Sequence, residues 1–162
     1  TIKDIPAGSY NVKVKAKDAA YAEQLKVVVV EKGTKEVTFE LVKKGVEVTF
    51  RNIYFDLNKA TLKPESEPAL REICTFLKEN PDILVEIQGH TDTRGSDAYN
   101  LRLSQARAES VVEWLINNGC ADADRLVPKG YGESVPVVKN AKTEAEHALN
   151  RRVVVKVLGI RK

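Results

Sequence analysis

The sequence predicts an α+β fold, a two-layer sandwich of helices on a mixed β-sheet, with a β-rich segment at its N-terminal end. Two kinds of periodicity, and their order along the chain, carry that reading. Val46–Asp56 and Leu84–Ile87 alternate apolar and polar residues, as half-buried strands do. Leu70, Ile73 and Leu77 recur at helical spacing, and so do Ser104, Ala108, Val111 and Leu115; each set makes a stripe that one sheet face can bury. From residue 46 onward the order is β-α-β-α-β-β.

Residues 1–45 read as strands near 10–16, 25–30 and 37–41, divided by Pro6-Ala7-Gly8, Lys17-Asp18 and Lys32-Gly33-Thr34. Three strands alone would leave one sheet face uncovered. Val42–Gly45 reads as a short linker. The strand over 46–56 has a break at Arg51-Asn52, where a bulge is expected. Pro64 and Pro68 frame the start of the first helix, which runs to about Glu79, ahead of Asn80-Pro81. The next strand is stopped by Gly89. A polar turn follows, His90-Thr91-Asp92-Thr93-Arg94, closed by Gly95 at positive φ. Ser96 or Asp97 caps the second helix, which ends at Gly119. A strand over 126–131, a short helix near 143–149 and a strand over 152–158 complete the chain.

The 162 residues allow one ordinary domain, or a domain plus a fragment, and 43% hydrophobic content is enough for a packed core. No apolar run approaches some 18 residues, so no transmembrane helix is expected. The net charge of +3 sits in residues 1–45, where nine Lys face six acidic residues, and residues 46–162 are neutral. Without a dense basic patch, nucleic acid is not an expected partner. Cys74 lies on the apolar side of the first helix and reads as a small buried hydrophobe. Spacing alone leaves open whether it pairs with Cys120.

The turn at 89–95 and the helix behind it hold the chemistry. Asp92 suits an ammonium group, and Arg107, beside the apolar stripe, suits a carboxylate gripped in bidentate fashion. A helix starting at Asp97 would carry Arg107 about 15 Å along its axis. Sharing a ligand then requires the loop to fold back along the helix, or the helix to start nearer Leu103. The later start is the expectation. Asp56, Leu57 and Asn58 form a strand-end turn whose backbone N–H groups can cradle an anion, and an Asx turn is the structural alternative for Asp56. Thr91, Asn100 and Leu101 are secondary contacts. Arg151 and Arg152 point to opposite faces, one supporting the site and the other solvated. His90 is the one candidate general base in the loop, and a structural hydrogen bond is its plainer role. No GxSxG elbow, HExxH helix or P-loop occurs, so a hydrolase built on Ser104, His90 and Asp92 is disfavoured. No catalytic residue, metal or cofactor is expected, since His90 and Asp92 alone cannot close a zinc site.

Four segments, IYFDLNKATLKPES at 53–66, GHTDTRGSDAYNLRLSQARA at 89–108, RLVPKGYGESVPV at 125–137 and NRRVVV at 150–155, resemble the OmpA-like peptidoglycan-binding domain, in the family's order. The resemblance covers about 46–160. It implies a non-catalytic domain in which Asp92 and Arg107 hold the zwitterionic end of meso-diaminopimelate in the peptidoglycan stem peptide. The 56–58 loop would help hold the ligand's carboxylates, and Arg151, from its place at the start of the last strand, is the arginine expected to support the site. It further implies a periplasmic, outer-membrane-associated location, with envelope proteins as further partners, in an assembly such as a secretion machine. The alternative is a protein-interaction module with the same fold and another ligand. IPAGSYNVKVKAKDAAY and KVVVVEKGTKEVTFEL resemble part of a carboxypeptidase regulatory-like β-sandwich, which implies that Thr1 is an internal cut and that the domains divide as 1–45 and 46–162.

Overall fold

A computed structural model describes residues 44–160 and the backbone of residues 8–14 and 24–30. β1 (Gly8–Val14) and β2 (Gln24–Val30) pair antiparallel, with Gly8 opposite Val30 and Val14 opposite Gln24. The strand expected over 37–41 and the turns around it lie outside the described residues.

The main sheet has four strands, β3 (Glu47–Phe50), β4 (Ile83–His90), β5 (Leu126–Gly132) and β6 (Arg152–Ile160), in the order β3-β6-β4-β5. β4 and β5 run parallel and the other neighbours antiparallel, so the sheet is mixed. A parallel pair needs a crossover, and α2 (Asp97–Asn117) provides it. α1 (Glu67–Glu79) follows a 3-10 turn over Pro64–Ser66, and α3 (Glu144–Asn150) precedes β6. Thr143 and Glu146 close a reciprocal capping box at the start of α3.

The core lies between the helices and one sheet face. Leu70, Ile73 and Leu77 of α1 and Val111 and Leu115 of α2 pack with Val85, Ile87, Val155 and Val157, all essentially inaccessible. Gln105 and Ser104 of α2 complete the outer edge of β5: Gly130 N donates to Gln105 Oε1 (2.8 Å) and Gly132 N to Ser104 Oγ (2.9 Å). Pro128 is tolerated there because the strand lies at a sheet edge. Buried Arg125 satisfies the end of α1, donating to the carbonyls of Leu77, Asn80 and Ile83.

Four expectations change. The strand over 46–56 ends at Phe50, and Phe55 makes only a lone bridge to Leu62. Buried Ser66 takes over the backbone groups of Tyr54, accepting from its N–H (2.7 Å) and donating to its carbonyl (3.0 Å), which draws the chain out of the sheet. Gly89 lies inside β4; a Cβ there would stand 2.3 Å from the Ser104 carbonyl oxygen, so the residue admits the helix instead of ending the strand. α2 begins at Asp97, not near Leu103, because Ser96 caps it by accepting from Tyr99 N. Cys74 and Cys120 are joined in a disulfide, their Cα atoms 4.9 Å apart, because the turn at Gly119 (φ +68°) brings the end of α2 against α1.

Candidate functional site

A cleft of about 720 Å³ opens at the end of the sheet where β4 gives way to the 91–95 loop. One wall is a small hairpin-like loop over 54–63, closed by Asp56 N to Thr61 O and Lys59 N to Asp56 O. Asn58 takes positive φ (55°) within it, a conformation asparagine tolerates. α2 clamps this loop from the other side. Tyr99 donates its hydroxyl to Asn58 Oδ1 (2.9 Å), Arg107 Nε donates to Lys59 O (3.0 Å), and the Arg107 guanidinium stacks 4.9 Å from the Phe55 ring centre. The far wall comes from α3 and the start of β6, through Glu144, Ala148 and Arg151.

Asp92 and Arg107 line this one cleft. The loop folds back along α2, the alternative to a late helix start. Asn100, buried three residues into α2, donates to the carbonyls of Asp92 (3.4 Å) and Arg94 (3.1 Å). Asp92 is therefore held level with Asn100, and only about two helical turns separate it from Arg107. Gly95, at φ +97°, makes the return possible.

Of the other residues singled out, Leu57, Asn58, Thr91, Asn100 and Arg151 line the cleft, whereas Asp56 and Leu101 do not. The Asp56 turn is closed by backbone, not by an Asx bond from its side chain, and the amides of Leu57 and Asn58 donate to no described residue. Leu101 packs its backbone against Gly132 and accepts from Ser104 Oγ. The Thr91 hydroxyl is buried and bonds to no described residue. Arg152 is half-buried, not simply solvated, and donates to the carbonyls of Asn150 and Val135.

Arg94 and Glu144 went unrecognised in the sequence. Arg94 Nη2 and Arg151 Nη1 both reach Asp92 Oδ2, at 2.7 and 2.8 Å, and both guanidinium groups also pair with Glu144. Arg94 is two residues from Asp92, so that pair was legible in principle; Glu144, some fifty residues on, carried no signal. Burial pushes the Asp92 carboxyl up, but the hydrogen bonds from Arg94 and Arg151 outweigh it and hold the group well below the usual carboxylate range. Burial, opposed by Tyr99, lowers Arg107 without threatening its charge. The cleft walls carry six Arg and Lys side chains against two carboxylates, a field that draws anions.

His90 faces away from the core. Its Nε2 meets Gln88 Oε1 (3.0 Å), its ring stacks on Tyr131, and burial followed by the Arg152 charge lowers it to about 4. Ser104 Oγ bonds to Leu101 O and Gly132 N. Ser104, His90 and Asp92 are thus bonded to separate partners and form no relay.

The OmpA family match extends over residues 54–151 and includes every residue of the cleft from Tyr54 to Arg151. The chain belongs to the OmpA family. This OmpA-family chain is 45% identical over 102 residues to outer membrane porin F of Pseudomonas fluorescens, covering 63% of the chain and 31% of that relative. It therefore spans about a third of that protein's length. The peptidoglycan-associated lipoprotein from Burkholderia pseudomallei has a similar structure, with a TM-score of 0.58 and 32% identity over 65% of this chain and 87% of that one. The cell wall anchor of the T6SS from Pseudomonas aeruginosa aligns with a TM-score of 0.58 and 33% identity, over 69% and 80% of the two chains. The family match begins at residue 54 and does not reach the segment that resembles a carboxypeptidase regulatory-like β-sandwich.

Proposed function

We propose that this OmpA-family chain binds peptidoglycan without catalysis, through the meso-diaminopimelate of the stem peptide, and so anchors an outer-membrane-associated envelope complex to the cell wall. The observation that carries this is the shared cleft of Asp92 and Arg107, one acid from the loop after β4 and one arginine from α2, about two helical turns apart. Diaminopimelate ends in an ammonium and a carboxylate on one carbon, and opposite charges at fixed separation read such a zwitterion. Arg107 suits the carboxylate because its guanidinium is already braced by the Phe55 ring and the Lys59 carbonyl, which take its face and Nε. The amides of Leu57 and Asn58 are further donors for carboxylate oxygen. The cationic excess suits a peptide rich in carboxylates.

The names borne by the two structural relatives, a peptidoglycan-associated lipoprotein and a cell wall anchor, support the same ligand class and a periplasmic site of action. Among the described residues no helix is long and apolar enough to cross a membrane. The binding unit in this reading is residues 46–162, with 1–45 as a separate β-rich piece that serves as spacer or docking surface. The test is co-sedimentation with insoluble diaminopimelate-type peptidoglycan and with a lysine-type wall, for the wild type and Asp92→Ala. Binding to the first wall only, lost in a variant that melts normally, is the expected result. Equal binding by a well-folded Asp92→Ala protein overturns the assignment.

A further inference from the structure

We propose that Arg94 is a built-in competitor for the ligand's ammonium group at Asp92, so that binding proceeds by exchange of one cation for another. The inference rests on the reading of Asp92 as the ammonium-binding group.

The Asp92 carboxylate is fully subscribed. Oδ1 accepts from Arg94 N (3.0 Å) and Arg94 Nε (3.3 Å), and Oδ2 from Arg94 Nη2 (2.7 Å) and Arg151 Nη1 (2.8 Å). A carboxylate offers about four acceptor sites, so an ammonium reaches it only when a guanidinium leaves. The two arginines are not equally held. Arg151 follows α3 directly, its amide bonded to His147 O, and its side chain is 37% exposed. The Arg94 side chain is 55% exposed and springs from the loop beside Gly95; its other partner, Glu144, is 65% exposed. The Arg94–Glu144 pair, exposed on both sides, is screened and contributes little. When Arg94 swings out, its backbone N–H can stay on Oδ1, and Arg151 still holds both Asp92 and Glu144. The vacated positions are one acceptor site on Oδ2 and one on Oδ1, on a residue that lines the cleft shared with Arg107.

Exchange has a consequence for specificity. A bare amine gains at Asp92 roughly what Arg94 gives up, so it binds poorly. A zwitterion also gains a carboxylate contact at Arg107, whose terminal nitrogens make no hydrogen bond among the described residues. Arg94 thereby makes the cleft select ligands that carry both charges.

The experiment is isothermal titration of the full chain with meso-diaminopimelate and, separately, with 1,5-diaminopentane, for the wild type, Arg94→Gln and Asp92→Asn, with thermal melts as folding controls. Arg94→Gln is expected to bind diaminopimelate at least three-fold more tightly and to acquire binding of the plain diamine that the wild type lacks. Asp92→Asn is expected to lose both. Unchanged or weaker binding by Arg94→Gln, with Asp92→Asn still inactive, overturns the competition while sparing the reading of Asp92. Asp92→Asn binding as well as the wild type overturns that reading, and the competition with it. Failure of both wild type and Arg94→Gln to bind either probe also counts against it, since relief at Asp92 should then be measurable.

Discussion

Gly89 and Ser104 set the distance between β4 and α2: a Cβ on Gly89 would stand 2.3 Å from the Ser104 carbonyl oxygen and 3.0 Å from its carbonyl carbon. Both are backbone atoms of a helix, so neither can swing aside. The contact fixes α2 against the strand that delivers Asp92, and α2 carries Arg107. Gly89→Ala is therefore expected to push α2 outward, lowering stability by about 1–3 kcal/mol, as overpacking does. It should also weaken ligand binding without altering any ligand-contacting side chain. Urea denaturation and titration with a soluble muropeptide check both effects.

Arg107 supplies a planar fork, and lysine cannot. Charge-assisted hydrogen bonds are worth about 1.5–3 kcal/mol. Arg107→Lys is expected to bind a diaminopimelate-containing muropeptide several-fold more weakly at the same net charge. Arg107→Ala should lose more than about tenfold, or roughly 1.4 kcal/mol. Full affinity in Arg107→Lys would mean that only a positive field is needed there.

The Cys74–Cys120 disulfide closes a loop with a sequence separation of 46 and joins α1 to the end of α2. Loop entropy for that span assigns it about 4 kcal/mol, and measured values commonly fall near 2–4 kcal/mol. Cys74→Ser with Cys120→Ser should lower the urea midpoint accordingly. Neither cysteine lines the cleft, so wall binding by the folded fraction should persist. Co-sedimentation of the double variant at low temperature tests that separation.

His90 makes stability depend on pH. Its ring protonates near 6.5 in the unfolded chain and about 4 in the folded one. The unfolded state therefore takes up a proton first as the pH falls, and stability declines between those two values and levels off below them. Between about pH 7 and pH 5 the loss is roughly 2 kcal/mol. Asp92, depressed by its arginines, adds stability that is present above its ordinary carboxylate value and disappears only at lower pH. Urea melts at the two pH values for the wild type and His90→Asn should show the dependence shrinking in the variant.

Much of this protein is determined by local sequence. The helix over 67–79, the apolar stripe of the second helix, the turn at Gly95 and the short helix after Thr143 all follow from periodicity and capping chemistry, which act over a few residues; the start of the second helix at Asp97 differs from the expected start near Leu103. The pairing of Asp92 with Arg107 as candidates also came from residue type, and the FDLNKATL and GHTD segments pointed to the same wall.

Tertiary structure decided what depends on residues far apart in the chain. Ser66 ends the third strand early by capturing Tyr54 twelve residues away, which no alternation pattern at 46–56 records. Gly89 looks like a strand stop in isolation, yet it lies within the strand because a helix backbone approaches fifteen residues later. The disulfide depends on the turn at Gly119 meeting α1. The Asp92–Arg151–Glu144 network joins a loop, a strand end and a short helix that are neighbours only once β4 and β6 have paired. Side-chain chemistry names the groups able to bind a zwitterion. Only the packing of β4, α2 and β6 sets which of those groups share a cleft, and which of their hydrogen bonds are already taken.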